Sequence, residues 1–153
     1  MKFVSSLAFL LLCCDPVAAK TYSSTDCHCY ENDGCDQTAC NAPKCFAGYC
    51  DQTGTNNPVC LSEKCIQDNA KNPKCMGGEC SQVNSMGATC AGYGCNQDGS
   101  TNASCTGSQC SQINAVSPKC SYGCDQTGAT NAKCKSGCTR LFVEVEESRY
   151  LRA

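Results

Sequence analysis

Cysteines recur along this chain at a spacing of fifteen residues, and no other feature of the sequence constrains the fold as strongly. A first column contains Cys35, Cys50, Cys65, Cys80, Cys95, Cys110, Cys124 and Cys138. A second column contains Cys45, Cys60, Cys75, Cys90, Cys105, Cys120 and Cys134. The unit is C-x9-C-x4-C, shortening to C-x3-C in the last two copies. So regular a period predicts one structural unit per repeat, with neighbouring units stacked on each other.

The nine-residue segments between the two columns also repeat in their chemistry. Their second residue is always glutamine: Gln37, Gln52, Gln67, Gln82, Gln97, Gln112 and Gln126. Their fourth residue is glycine or asparagine from the second segment onward: Gly54, Asn69, Asn84, Gly99, Asn114 and Gly128. Both residue types tolerate positive φ, so a left-handed backbone step is expected there in every unit. Their fifth residue is small, which predicts a side chain that points into a crowded interior.

The chain lacks both the alternation of a long strand and the 3.6-residue period of a helix. We therefore predict a small disulfide-rich repeat protein, an elongated, solenoid-like stack of 15-residue coils with little regular helix or strand. A short disulfide loop contributes only ~2 kcal/mol, whereas ordering fifteen residues costs roughly 15–30 kcal/mol, so the coils must also hydrogen-bond to one another. In such a stack the glutamines form a ladder in which each amide donates to the next.

Residues 1–19 read as a secretory signal, with a positive start, an apolar stretch and a small-residue cleavage site before Lys20. Its apolar run is about twelve residues, too short for a span of roughly twenty. Its removal takes Cys13 and Cys14 with it and leaves eighteen cysteines, which predicts a secreted, disulfide-bonded chain. We predict an amino-terminal cap over residues 20–44, the stapled repeats over 45–138 and a carboxyl-terminal tail over 139–153.

Two frames of disulfide pairing compete, and the sequence favours closure across the short gaps. That frame pairs Cys45–Cys50, Cys60–Cys65, Cys75–Cys80, Cys90–Cys95, Cys105–Cys110, Cys120–Cys124 and Cys134–Cys138. It leaves four cysteines to form two bonds in the cap: Cys27, Cys29, Cys35 and Cys40. Closure across the nine-residue segments instead leaves Cys138 unpaired at one end of an elongated stack, whereas the other unpaired cysteines lie at the amino end. A disulfide between successive units stays open as a third arrangement.

Composition argues against several functional classes. The net charge is −2 and no run of Lys or Arg exists, so nucleic acid is not an expected partner. No later segment is apolar enough to span a membrane, and no cofactor is implied. His28, the only histidine, lies between two cysteines, and no base stands beside a nucleophile, so no catalytic residue is expected. Because exported cysteines are oxidised by default, no metal site is expected either.

Several side chains suggest binding roles that the sequence leaves open. Aspartates recur near turn starts, where they bond local amides, and calcium binding is the weaker interpretation: Asp36, Asp51, Asp68, Asp98 and Asp125. The third residue of the nine-residue segments is Thr, Asp, Val or Ile, unlike the uniform threonine face of ice-binding solenoids. Four aromatics in the short gaps suggest turn packing, with carbohydrate binding as the alternative: Phe46, Tyr49, Tyr93 and Tyr122. Asn102 begins a sequon and is a candidate glycosylation site.

The strings GCDQTGATNAKC and YCDQTGTNNPVC resemble those of tandem-repeat, small cysteine-rich secreted proteins of filamentous fungi, over roughly residues 35–138. The resemblance implies a secreted, non-enzymatic factor of effector or virulence type, acting extracellularly on a host or a competing microbe. Its partner is then an extracellular protein or carbohydrate. The alternatives are a structural or wall-associated adhesive protein of the producing organism, a protease inhibitor or an ice-binding protein.

Overall fold

The computed structural model describes residues 20–21, 27–30 and 34–140. The expected signal segment 1–19 and all but two residues of the expected tail lie outside this part. The described part contains eleven short β-strands and no helix. The strands are β1 Lys20–Thr21, β2 His28–Cys29, β3 Cys35–Asp36, β4 Lys44–Cys45, β5 Cys50–Asp51, β6 Val59–Cys60, β7 Lys74–Cys75, β8 Thr89–Cys90, β9 Ser104–Cys105, β10 Lys119–Tyr122 and β11 Lys133–Ser136.

The strands form two sheets that run along the stack, one following the first column of cysteines and the other following the second. The first sheet has the order β1-β3-β5 and continues through single parallel bridges from Asp51 as far as Thr139. The second sheet has the order β2-β4-β6-β7-β8-β9-β10-β11, and every pairing in it is parallel. Because each strand pairs with the equivalent strand one coil away, the predicted β-solenoid of 15-residue coils is confirmed.

Three left-handed steps shape each regular coil, and the sequence predicted one of them. The expected step at the fourth position is confirmed, with φ between 54° and 70° from Gly54 to Gly128. A second step lies at the seventh position, where Asn57 and Ser117 have φ of 51° and 53°. A third precedes the first-column cysteine in most coils, as at Lys64 with φ 61°. The third step falls on Lys, Glu and Gln as well as Gly, which share no left-handed preference, so it escaped prediction. The seventh position is Asn or Gly in most coils, and this signal could have predicted the second step.

The glutamine ladder occupies the centre of the stack and is confirmed. All seven glutamines are at most 2% exposed, and each Nε2 after Gln37 donates to the preceding Gln Oε1 at 2.8–2.9 Å. Each Nε2 also donates to a backbone carbonyl seven residues ahead, as from Gln82 to Thr89 at 3.2 Å. At the ends, Gln37 donates to the Cys27 carbonyl and Gln126 accepts from Arg140 Nε. Every buried amide in the column is thereby satisfied.

The eighteen cysteines within the described residues form nine disulfides, and all of them except Cys27–Cys40 link the two sheets. Cys27 pairs with Cys40 and Cys29 with Cys35, and the other seven pairs close the short gaps. Their Cα–Cα distances run from 5.7 to 6.5 Å. Cys29 and Cys35 lie in register with Cys45 and Cys50, so the strand ladders run on through the expected boundary at residue 44.

Candidate functional site

The interior is filled by paired groups, so chemically available side chains lie on the outside of the stack. The small fifth-position residues are buried as predicted: Thr55, Ala70, Ser85, Ser100, Ala115 and Ala129. Prolines of the eighth position are buried as well, and alanine replaces them in three coils, buried at Ala88 and Ala103 and half-buried at Ala132. Sulfurs of neighbouring coils cluster within 4.8 Å of one another, but disulfide sulfur lacks the thiolate charge that binds zinc. Candidate binding groups therefore lie in the outer columns.

The side of the first sheet is acidic, and we call it the acidic face. Its five carboxylates are those of Asp36, Asp51, Asp68, Asp98 and Asp125. Three of them accept a hydrogen bond from the amide two residues ahead, each at 3.0 Å, as the turn-start prediction requires. Asp68 and Asp98 differ, because each accepts from a serine hydroxyl and a backbone amide of the next coil.

Hydrogen bonds hold two carboxylates of the acidic face in the charged form. The amide and then the hydroxyl of Thr38 lower the pKa of Asp36 below its ordinary value. The hydroxyl and then the amide of Thr127 lower the pKa of Asp125 in the same way. A general acid needs the opposite shift, so these carboxylates suit recognition better than proton transfer.

The outer side of the second sheet carries an apolar strip in its amino-terminal half, formed by Tyr30, Phe46, Leu61 and Met76. These side chains are 37–66% exposed. They follow in-register cysteines of four successive coils, as the bond from the Phe46 amide to the Cys29 carbonyl shows. The rings of Tyr30 and Phe46 stack at 4.6 Å, so each ring covers a face of the other. Sequence reasoning missed the strip because residues after the second-column cysteine share no residue type.

A second exposed feature lies at the gap between Cys45 and Cys50. It consists of Tyr49 with Lys64, Asp36 and Asp51 around it, and we call it the corner site. Tyr49 is 58% exposed there, and Lys64 Nζ lies 5.8 Å from its ring centroid and 3.6 Å from Glu79. Two open cavities of about 350 and 360 Å³ meet at Tyr49 and Lys64. The carboxylates of Asp36 and Asp51 line the larger cavity.

The structure places the remaining expected residues as follows. The four gap aromatics are all exposed, from 37% at Phe46 to 58% at Tyr49. His28 is exposed, and its ring centroid lies 5.7 Å from that of Phe46. The third residue of the nine-residue segments is exposed in the first segment, at Thr38, and half-buried in all later segments. Asn102 is exposed at φ 56°, on the seventh-position corner of its coil. No helix that could cross a membrane is present in residues 20–21, 27–30 and 34–140.

Residues 23–104 match the family described as "Secreted RxLR effector protein RXLR-C08 C-terminal domain". This segment is more than half of the chain. The chain belongs to this family. It is therefore a secreted, extracellular protein of the effector type. No curated protein and no solved structure matched the chain significantly.

The family match refines the resemblance drawn from the repeat. It supports an effector-type secreted protein but an oomycete-type family, so the fungal attribution gains no support. The letters R-x-L-R of the family name occur once, at residues 149–152, outside both the matched segment and the described part.

Proposed function

We propose that this secreted effector is non-enzymatic and acts outside the producing cell by binding a host or a competing microbe through its outer columns. One observation carries the proposal. The interior groups are consumed by the glutamine ladder and the disulfides, while aromatic, acidic and basic side chains are presented outward on a stapled scaffold. Such a body offers surface and rigidity, which are the properties that recognition requires.

The arrangement of charge supports binding. Carboxylates occupy the side of the first sheet, whereas lysines occupy the side of the second: Lys44, Lys74, Lys119, Lys133 and Lys135. Because the two signs lie on different sides, partners of different charge can be recognised by different faces of one molecule. The carboxylates on the acidic face are held charged or engaged by neighbouring amides, which orients them for contact.

Resistance to proteolysis fits action in a foreign extracellular fluid. Each regular coil is closed by a disulfide of four- or five-residue separation and is hydrogen-bonded to both neighbouring coils. Local opening therefore requires loss of ladder bonds on both sides, and proteases act on opened segments.

The test compares the oxidised mature protein, starting at Lys20, with the same protein after reduction and alkylation. Both are applied to host tissue and to cultures of competing microbes, and the defence response and microbial growth are measured. We expect a response to the oxidised form that the alkylated form does not elicit, because only the folded surface is active. Absence of any response, with retention of the protein in the wall of the producing organism, would overturn the proposal.

A further inference from the structure

We propose that the corner site binds a neutral oligosaccharide, with the Tyr49 ring as its platform and Asp36 and Asp51 as its hydrogen-bond acceptors. This inference deepens the proposed function and rests on it, because it names the class of ligand through which the effector acts. It stands on three independent features of residues 34–66: backbone geometry, the environment of the ring and the arrangement of carboxylates.

The backbone departs from the repeat at this position. In the other short gaps the residue before the first-column cysteine has positive φ, as at Lys64, Gly94 and Gln109. Between Cys45 and Cys50 the left-handed step lies one residue earlier, at Gly48 with φ 71°. Tyr49 itself takes an ordinary conformation, and its carbonyl accepts the Cys35 amide at 2.9 Å. The corner is thus rebuilt around Tyr49 and leaves its side chain 58% exposed.

Close packing of the neighbouring backbone fixes this geometry. Gly34 has φ 89°, and a Cβ at that position would overlap the carbonyl oxygen of Tyr49. Only glycine allows the preceding coil to approach so closely. The cavity lined by Asp36 and Asp51 is therefore bounded at Gly34 by close-packed backbone.

Within the part that the structure describes, the ring of Tyr49 is not stacked on another aromatic ring, unlike the rings of Tyr30 and Phe46 in the apolar strip. Tyr30 and Phe46 stack on each other with an interplanar angle of 10°. No other aromatic ring of the described residues packs on Tyr49, and its neighbours are Lys64 and the two cavities. A pyranose presents a face of C–H groups, and such a face packs against an exposed aromatic ring. Each cavity falls at the lower end of the size range of small-ligand sites.

The carboxylates supply the polar half of the site. Asp36 and Asp51 are register partners in β3 and β5, so they lie side by side on adjacent coils. Thr38 and Thr53 donate their amides to Oδ1 of these residues, each at 3.0 Å. Within the described residues all such bonds go to Oδ1, so Oδ2 of each carboxylate can accept a ligand hydroxyl. Sugar hydroxyls are hydrogen-bond donors, and bonds to charged acceptors are the stronger ones.

Charge decides between ligand classes. Asp36, Asp51 and Glu63 surround the two cavities, against the single ammonium of Lys64. Anionic ligands are therefore repelled. Lys64 already occupies the cationic position near the ring, where Tyr49 and the nearby glutamates raise its pKa. A neutral, hydroxyl-rich ligand is not repelled by the carboxylates and does not compete with the Lys64 ammonium.

The test measures binding of neutral oligosaccharides of glucose and of N-acetylglucosamine to the oxidised mature protein, by calorimetry and amide NMR shifts. We expect one of these probes to bind and to shift amides around Tyr49. Tyr49→Ala should weaken binding about tenfold. Asp51→Asn keeps the Oδ1 acceptor for Thr53 and should weaken binding several-fold. The matched control is Tyr122→Ala, which removes a 50% exposed tyrosine that also lies near a lysine, Lys135 at 5.7 Å.

The control tyrosine lacks the paired carboxylates, because the register partners of the nearby Asp125 are Ser111 and Thr139. Failure of every neutral probe, binding of spermine in their place, or equal losses in Y49A and Y122A would overturn the inference. The same variants are applied in the tissue assay. A response that survives without any sugar binding refutes the ligand class and leaves the effector function standing, whereas sugar binding without a response refutes the function.

Discussion

The interior and the outer columns of this stack share one period but differ in their tolerance of variation. Inside, the second position is glutamine in every segment and the fifth is always small from Thr55 onward. Outside, the residue after the second-column cysteine changes through Phe46, Leu61, Met76, Ala91 and Thr106. The inner columns specify the coil, because each glutamine bonds its equivalent one coil away and the small fifth residue fits the crowded interior. The outer columns are then free to vary for recognition.

The largest difference between the two regions is expected at Gln82 and its outer neighbour Val83. Gln82→Leu keeps the volume but removes the acceptor for Gln97 and the donor to Gln67, both at 2.9 Å. We expect the free energy of unfolding to fall by about 3–5 kcal/mol, since buried groups lose partners on both sides. Val83→Thr should change it by less than ~0.5 kcal/mol. Urea titration of both oxidised variants measures the contrast, and equal losses would contradict it.

Glycines sharpen the comparison at the backbone. A Cβ at Gly107 would overlap the carbonyl oxygen of Gly92 in the preceding coil, whereas a Cβ at Gly54 meets nothing within 4 Å. We expect Gly107→Ala to lower the unfolding free energy by about 3 kcal/mol, because two backbones must separate. Gly54→Ala carries only the left-handed strain of φ 70°, about 1–2 kcal/mol. Thermal and urea unfolding of the pair test the order, which reverses if coil-to-coil packing is loose.

A single disulfide should matter less than one ladder amide. Replacing both Cys75 and Cys80 by alanine removes a closed loop of five-residue separation and should lower stability by ~2 kcal/mol. The fold should persist, because the ladder and the parallel bonds to both neighbouring coils remain. Partial reduction and peptide mapping of the unsubstituted protein is the control. A bond from Cys75 to any partner other than Cys80 contradicts the structure.

Acid should weaken the acidic face in a defined window. The pKa of Asp125 is lowered in the folded state, so its stabilising contribution is complete above the ordinary value of 3.8. The contribution is lost as the pH falls below that value and through the lowered pKa. Thr127→Val removes the hydroxyl donor and should reduce the fall in melting temperature between pH 5 and pH 2. An unchanged pH profile would show that the Thr127 hydroxyl does not stabilise the charged carboxylate.

The smallest effect on stability is expected from a glycan at Asn102. Asn72 donates to Asn57 across one coil at 3.1 Å, whereas the equivalent positions flanking Asn102 hold Gly87 and Ser117. Asn102 is exposed, so a glycan should be accommodated without change in melting temperature. Mass spectrometry before and after glycosidase treatment of protein from a eukaryotic secretory host measures occupancy. Asn102→Gln should abolish any mass difference, and a mass loss that survives in this variant would contradict the assignment.

The inner columns could be predicted from sequence because their chemistry admits few solutions. A buried glutamine repeated every coil must bond something, and its own copies are the nearest partners. The outer features could not be predicted in the same way. The apolar strip joins Tyr30, which precedes the first nine-residue segment, to side chains of three different types. The corner site depends on a left-handed step that is displaced by one residue to Gly48, and no pattern of residue types predicts this displacement.

The ladder gives the molecule a direction and a unit of length. Each glutamine is both donor and acceptor, so hydrogen bonds run one way from Arg140 to the Cys27 carbonyl. Duplication or deletion of a whole unit would therefore leave no new unpaired amide. A missing residue is also tolerated in the short gap, since Gln126 still reaches Gln112 at 2.9 Å across a fourteen-residue step. The distance along the stack between equivalent recognition groups on the outside is consequently a whole number of coils.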